Sequence, residues 1–248
     1  MKLPRVLRFE KESLGLDVPP GAHHYRAYVG YAVNYDLIAA MTFGLVTTLG
    51  LRQQHKLVDI GCGSLRIGRL LIPYLNAGNY IGIEPNQWLV EEGISREVGR
   101  DLVRIKKPQF YFSDSPKVLV KHSGLDFAVA QSIFSHCGLD LITDWLAGVA
   151  GALAPTGALI ATFLPDEIDS SENGWRYPEC VRYKPHTLQT IASELELKFE
   201  ILDWRHPHQT WAIFANSHFD SSWFKTRPLT WNTMIDRVRH DREAADCS

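Results

Sequence analysis

The segment Leu57-Val-Asp-Ile-Gly-Cys-Gly-Ser-Leu-Arg-Ile-Gly-Arg-Leu-Leu71 constrains this chain more than any other. A short apolar run ends at Asp59-Ile60, two glycines follow with one residue between them, and a helical stretch begins near Ser64. Gly61 and Gly63 permit a close approach of ligand to backbone that a Cβ would block. The first turn of a helix presents N–H groups without intrahelical partners, so an anionic or polar end of a ligand can dock there. The next apolar run, Tyr80-Ile-Gly-Ile-Glu84, ends in an acid about 20 residues on, where a parallel sheet brings a carboxylate within reach of ribose hydroxyls. Ordinary turn glycines and a solvated strand end would not need strand, loop, helix and acid in that order. The order implies an adenosine-containing ligand.

From Leu57 onward, short apolar runs alternate with helical stretches, the pattern of strand–helix units around a parallel sheet. Strands are predicted at 56–60, 80–84, 109–112, 125–130, 158–164, 198–204 and 210–215. Only His206-Pro207-His208-Gln209 separates the last two, too few residues for a crossover helix, so they should pair as an antiparallel hairpin. The fold class is α/β: a Rossmann-like, seven-stranded, mostly parallel sheet with a C-terminal antiparallel hairpin and an N-terminal helical cap. Residues 1–50 form the cap segment, with one or two helices over 28–51. Residues 51–218 form the ligand-binding domain, with an insertion or lid at about 165–185. Residues 219–248 form a tail whose Trp223, Phe224, Trp231, Met234 and Ile235, mixed with basic residues, suggest a docked helix.

Charge and composition narrow the function. With 26 basic against 28 acidic residues there is no global field to hold a polyanion, and no nucleic-acid partner is expected. The cysteines Cys62, Cys137, Cys180 and Cys247 form no Cys-x-x-Cys pair, which signals neither zinc nor a disulfide scaffold; no metal is expected, and a reducing cytoplasm suits the chain. Charges interrupt every apolar run near the N-terminus, so no signal-peptide core is expected. The uncharged stretch from Trp145 to Pro165 nears the ~20 residues a membrane helix requires, but Pro155-Thr156-Gly157 divides it into an amphipathic helix and a buried strand. No membrane association is expected.

Over roughly Tyr28 to Asn216 the chain resembles the class I S-adenosylmethionine-dependent methyltransferases, with Asp59-Ile-Gly61-Cys-Gly63 matching their first motif. The longer Gly-Cys-Gly-Ser-Leu-Arg-x-Gly-Arg string is similar to a bacterial subgroup acting on small molecules. The resemblance implies S-adenosyl-L-methionine as cofactor and S-adenosyl-L-homocysteine as product. It implies a cofactor site built from Asp59, Gly61, Cys62, Gly63 and Arg66 in the loop, Glu84 with Pro85 and Asn86 at the ribose, Asp114 after the third strand at the adenine amine, and Gln131 and Ser132 after the fourth strand. One departure stands out: the third small residue common in that loop is absent, and Gly63 is followed by Ser64-Leu65-Arg66. A nicotinamide-dependent oxidoreductase uses the same loop and ribose acid, but its fingerprint requires glycine or alanine where Arg66 stands.

Methyl transfer from a sulfonium is an in-line displacement, so alignment and water exclusion can supply much of the rate. A base matters only where the nucleophile carries a proton, as a hydroxyl does. His136, one short loop beyond the fourth strand, is the candidate catalytic base, and a capping or packing histidine is the plain alternative; its presence favours O- over N-methylation. His206 and His208 read as a solvated turn. Tyr28, Tyr31 and Tyr35 ahead of the first strand, with Trp175, Tyr177 and Tyr183 in the insertion, are the candidate walls for a small, planar or carboxylated methyl acceptor. Gln131-Ser132-Ile133-Phe134 stands where amino-methylating nucleic-acid enzymes carry Asn/Asp-Pro-Pro-aromatic. The chain could form a homodimer. A cofactor-fold protein without turnover, whose tail binds a partner, is the reading from a different class.

Overall fold

The computed structural model describes residues 13–222. Seven strands form one sheet: β1 (Leu57–Ile60), β2 (Tyr80–Ile83), β3 (Gln109–Tyr111), β4 (Leu125–Ala130), β5 (Leu153–Phe163), β6 (Lys198–Leu202) and β7 (Thr210–Ala215). Their order is β3-β2-β1-β4-β5-β7-β6. β7 runs antiparallel to both β5 and β6, as the short connection before it requires. An open dinucleotide-binding sheet with strands 3-2-1-4-5-6 lacks such an inserted strand. The chain divides into two compact units.

The first unit comprises the described residues up to Val118, together with Tyr177–Glu179. Here β1, β2 and β3 pair in parallel, Leu57 opposite Tyr80 and Ile81 opposite Gln109. Every residue of β1 and β2 is buried, as expected of strands covered on both faces. Its helices are α1 (Tyr35–Thr48), preceded by a 3₁₀ turn at Ala32–Asn34, then α2 (Gly68–Tyr74), α3 (Gln87–Gly93) and α4 (Arg100–Lys106), with a π-helical turn over Ile94–Val98 between the last two.

The second unit contains Leu119–Arg176 and continues from Cys180. Its sheet, β4 to β7, packs with α5 (Leu139–Ala152) and α6 (Pro185–Glu194). The dividing tripeptide acts differently from the expectation of a strand starting at Ala158. Leu153 already pairs with Leu125, the register jumps so that Phe127 pairs with Ala158, and the residues between bulge out. Gly157 is needed there because a Cβ would lie 2.5 Å from the Leu125 carbonyl oxygen. No helix among the described residues is long and apolar enough to cross a membrane. The aromatic residues expected to dock the tail, from Trp223 on, lie outside the described residues, as does Cys247.

Candidate active site

In the first unit, the glycine loop leaves the end of β1 in a tight sequence of turns. Gly61 and Gly63 have φ of +67° and +52°, the left-handed region that glycine occupies without steric cost, and Leu65 also sits there at +60°. The N–H groups of Gly61 and Cys62 both donate to the carbonyl of Ile83 at the end of β2, at 2.8 and 3.0 Å. The helix then starts at Gly68, not near Ser64. The left-handed turn at Leu65 is incompatible with helix, and the loop's own carbonyls satisfy the early donors: Arg69 N–H bonds to Leu65 at 2.9 Å and Leu71 N–H to Ile67 at 3.1 Å. A ligand here would meet loop backbone rather than a helix terminus.

Glu84 follows β2 directly and is 7% exposed. Its Oε2 accepts the Gly63 N–H at 3.1 Å, while Oε1 accepts the Asn86 N–H at 2.9 Å and the Asn86 side-chain amide at 2.8 Å. Burial pushes its carboxyl above the usual carboxylate range, and these three donors hold it down. A carboxylate offers roughly four acceptor sites, so a lone pair on Oε2 is left for one more donor. Pro85 is exposed beside it, and Asp114 is exposed in the loop after β3.

Asp59, Cys62 and Arg66 face the interior of the unit. Asp59 is 1% exposed and its Oδ2 accepts the Tyr80 hydroxyl at 2.8 Å. Desolvation raises its carboxyl to about 7, opposed by the Tyr80 hydrogen bond and by the Arg66 charge. The Cys62 thiol, buried beside Asp59 and Glu84, is pushed well up, so it is no thiolate nucleophile. Arg66 is buried and donates Nη1 to the Val29 carbonyl at 2.9 Å; burial lowers its guanidinium from the ordinary value.

A pH prediction arises from Asp59. Its folded-state value of about 7 lies above the 3.8 of a free aspartate, so the folded protein binds the extra proton. The stability this contributes is complete below about pH 4 and is lost as pH rises through about 7. Asp59→Asn, which stays neutral, should therefore gain melting temperature relative to wild type as pH goes from 5 to 8. A difference that stays constant across that range would mean that Arg66 keeps Asp59 ionised throughout.

One aromatic residue that sequence reasoning passed over, Trp88, joins the predicted ones in this unit. His23 stacks on Trp88 with centroids 4.4 Å apart and planes at 15°. Tyr28 meets Trp88 edge-on at 5.3 Å and lies 5.6 Å from Tyr177, whose hydroxyl donates to the Tyr28 carbonyl. Trp88 lies in the first turn of the helix that follows Glu84, a place that could have marked it. Tyr31 is 57% exposed, whereas Tyr35 is fully buried.

In the second unit, β4 ends at a cluster of polar side chains. Ser132 has φ +62°, its N–H donates to Thr162 Oγ1 at 2.7 Å, and its hydroxyl meets the Gln209 amide at 2.7 Å. Buried Gln131 lies 3.3 Å from His206 Nε2. His206 Nδ1 accepts the N–H groups of His208 and Gln209 at 3.1 and 2.9 Å. His206 is thus tied into the end of β4, contrary to the expectation of a solvated turn.

His136 closes a 3₁₀ turn at Phe134–His136, with its ring centroid 5.9 Å from that of Trp175. The insertion pairs with this turn through its backbone. Arg176 N–H donates to the His136 carbonyl and Gly138 N–H to the Gly174 carbonyl, both at 2.8 Å, and Val181 N–H donates to the Ser135 carbonyl at 2.8 Å. Tyr183 is fully buried and donates its hydroxyl to the Cys137 carbonyl at 2.8 Å. Trp175 is half exposed, and the exposed Arg176 and Arg182 pair with Glu172 and Asp166.

No protein-family model and no curated protein sequence matches the chain. Solved structures do. The magnesium protoporphyrin IX methyltransferase of Synechocystis PCC 6803, solved with S-adenosylhomocysteine, superposes with a TM-score of 0.57 at 13% identity, covering 86% of this chain and 98% of that one. An O-methyltransferase family protein from Burkholderia thailandensis gives 0.57 at 11% identity over 78% of this chain and 59% of its own. The DhpI–S-adenosylhomocysteine complex gives 0.53 at 15% identity, over 78% and 94%. The chain has the class I S-adenosylmethionine-dependent methyltransferase fold. That fold carries the antiparallel β7 between β5 and β6, which the all-parallel oxidoreductase alternative does not.

Proposed function

We propose that the protein is an enzyme that transfers a methyl group from S-adenosyl-L-methionine to a small organic acceptor, with a hydroxyl acceptor favoured over an amine. The observation that carries this reading is the Glu84 carboxylate, pinned between the Gly63 and Asn86 N–H groups beside two left-handed glycines, with an acceptor site left over. A ribose hydroxyl satisfies that site, and the glycine turns leave backbone open to the methionine portion. The structural neighbours that hold S-adenosylhomocysteine share the fold and support the same cofactor. When bound, S-adenosylmethionine supplies an electrophilic methyl carbon on a sulfonium.

The work left to the chain is orientation, exclusion of water and removal of one proton. Gly61 and Gly63 would bring backbone to the cofactor, Glu84 would fix the ribose, and His136 would take the hydroxyl proton of the acceptor as its oxygen bonds to the methyl carbon, the carbon–sulfur bond breaks and S-adenosylhomocysteine leaves. His23, Tyr28, Trp88 and Tyr177 gather four aromatic rings in the first unit. They support a planar acceptor, since stacked and edge-on rings select flat partners.

Titration calorimetry with S-adenosylhomocysteine tests the cofactor assignment. Wild type should bind, and Glu84→Ala should bind about 10- to 100-fold more weakly, the loss of a charge-assisted hydrogen bond of roughly 1.5–3 kcal/mol. Equal affinity in the variant would remove Glu84 from the site. Incubation of methyl-labelled cofactor with a metabolite extract, followed by mass spectrometry, should then show one small molecule gaining the label. Binding with no labelled product from any extract would favour the protein without turnover.

A further inference from the structure

We infer that Tyr35 is a positioning residue for the glycine loop, held in place by two arginines that share two carboxylates. The inference rests on the cofactor reading above and assigns Tyr35 a role other than an acceptor wall. Four charged side chains from distant parts of the first unit meet around its ring. Glu97 Oε1 accepts the Tyr25 hydroxyl at 2.9 Å and Arg26 Nε and Nη2 at 3.0 and 2.6 Å, while its Oε2 accepts Arg69 Nη1 at 3.1 Å. Asp36 closes the ring of charges, with Oδ1 2.6 Å from Arg69 Nη2 and Oδ2 3.2 Å from Arg26 Nη1. The two guanidinium carbons stand 4.5 and 5.3 Å from the centroid of the Tyr35 ring.

The other end of Tyr35 reaches the loop. Its hydroxyl donates to the Ser64 carbonyl at 3.0 Å and lies 3.2 Å from Ser64 Oγ. Ser64 sits between Gly63 and Leu65, both left-handed, and Gly93 leaves room for its carbonyl, since an added Cβ there would come within 2.4 Å of the oxygen. The Ser64 carbonyl shares its peptide plane with the Leu65 N–H, which donates to the Cys62 carbonyl at 3.0 Å, and that carbonyl shares its plane with the Gly63 N–H that reaches Glu84. These pairs add little net stability: desolvation offsets the attraction at buried Glu97, and solvent screens it at exposed Asp36. What this network supplies is a fixed place for an aromatic ring, with charges above the π face and no freedom for the hydroxyl to swing away.

Tyr35→Phe keeps the ring under the arginines and removes only the bond to Ser64. It should bind S-adenosylhomocysteine about five- to tenfold more weakly by calorimetry, and amides of residues 62–66 should exchange hydrogen faster in the ligand-free protein. The control is Thr42→Val in the same helix, which deletes a buried hydroxyl bonded to the Ile38 carbonyl at 2.8 Å. It should lower the melting temperature and leave both readouts unchanged. Glu97→Gln should weaken binding in the same direction; if it fails to fold, Tyr35→Phe alone decides. Wild-type affinity and exchange in Tyr35→Phe, or an equal loss in Thr42→Val, would overturn the inference. A wild-type protein that binds no S-adenosylhomocysteine would instead overturn the cofactor reading, and the exchange comparison would still report on Tyr35.

Discussion

Gly61→Val should abolish binding of S-adenosylhomocysteine, a loss of more than about 1,000-fold, while circular dichroism shows the fold intact. Two effects add at this position. The residue has φ +67°, and a β-branched side chain there costs at least the roughly 1–2 kcal/mol that any L-residue loses in the left-handed region. The relaxation that relieves this strain must turn the backbone just where Gly61 and Cys62 donate to Ile83, and so drags the loop off the end of β2. The new side chain also occupies the approach that the cofactor makes to backbone. Gly63→Val would be harder to interpret, since a Cβ there would stand 2.7 Å from Val29 Cγ1 and displace the N-terminal segment as well. A Gly61→Val protein that binds with native affinity would mean that the loop is not the cofactor cradle.

How legible the sequence was depends on the range of the interactions. All seven strands fall within a few residues of expectation because their signal is local: apolar runs cut by turn residues. The late start of α2 was hidden, since nothing in Ser64-Leu65-Arg66 announces a left-handed leucine, and the Tyr35 hydroxyl that bonds the Ser64 carbonyl comes from 29 positions away. Glu84 could be located from its distance to the glycines, whereas Arg26 and Glu97 are 71 positions apart and meet only through the tertiary fold. The turn histidines show the same limit. Solvation was the reading that local sequence allows, and the tie from His206 to Gln131 spans 75 positions. Tyr35 and Tyr183 looked like wall residues because aromatics near a site mouth are ambiguous between lining and packing. Their complete burial and their bonds to the Ser64 and Cys137 carbonyls give each a structural task.

His136→Ala should lower kcat by about 10²–10⁴ with little change in cofactor affinity, provided that the acceptor is a hydroxyl whose proton the imidazole removes. What His136 contributes to holding the insertion is its backbone carbonyl, bonded to the Arg176 N–H, and alanine retains it. The ring is lost, and with it the contact to Trp175 at 5.9 Å between centroids. Base catalysis and packing then separate by pH. In the wild-type enzyme the rate should rise as the imidazole loses its proton and then level off. The alanine variant should lose that inflection and recover at high pH, where the acceptor ionises unaided. A packing role predicts a lower melting temperature and a small, pH-independent loss of rate, because a cavity beside Trp175 loosens the turn equally at every pH. A pH–rate profile that keeps its inflection in His136→Ala would therefore exclude the base and leave alignment of the acceptor as the source of the rate.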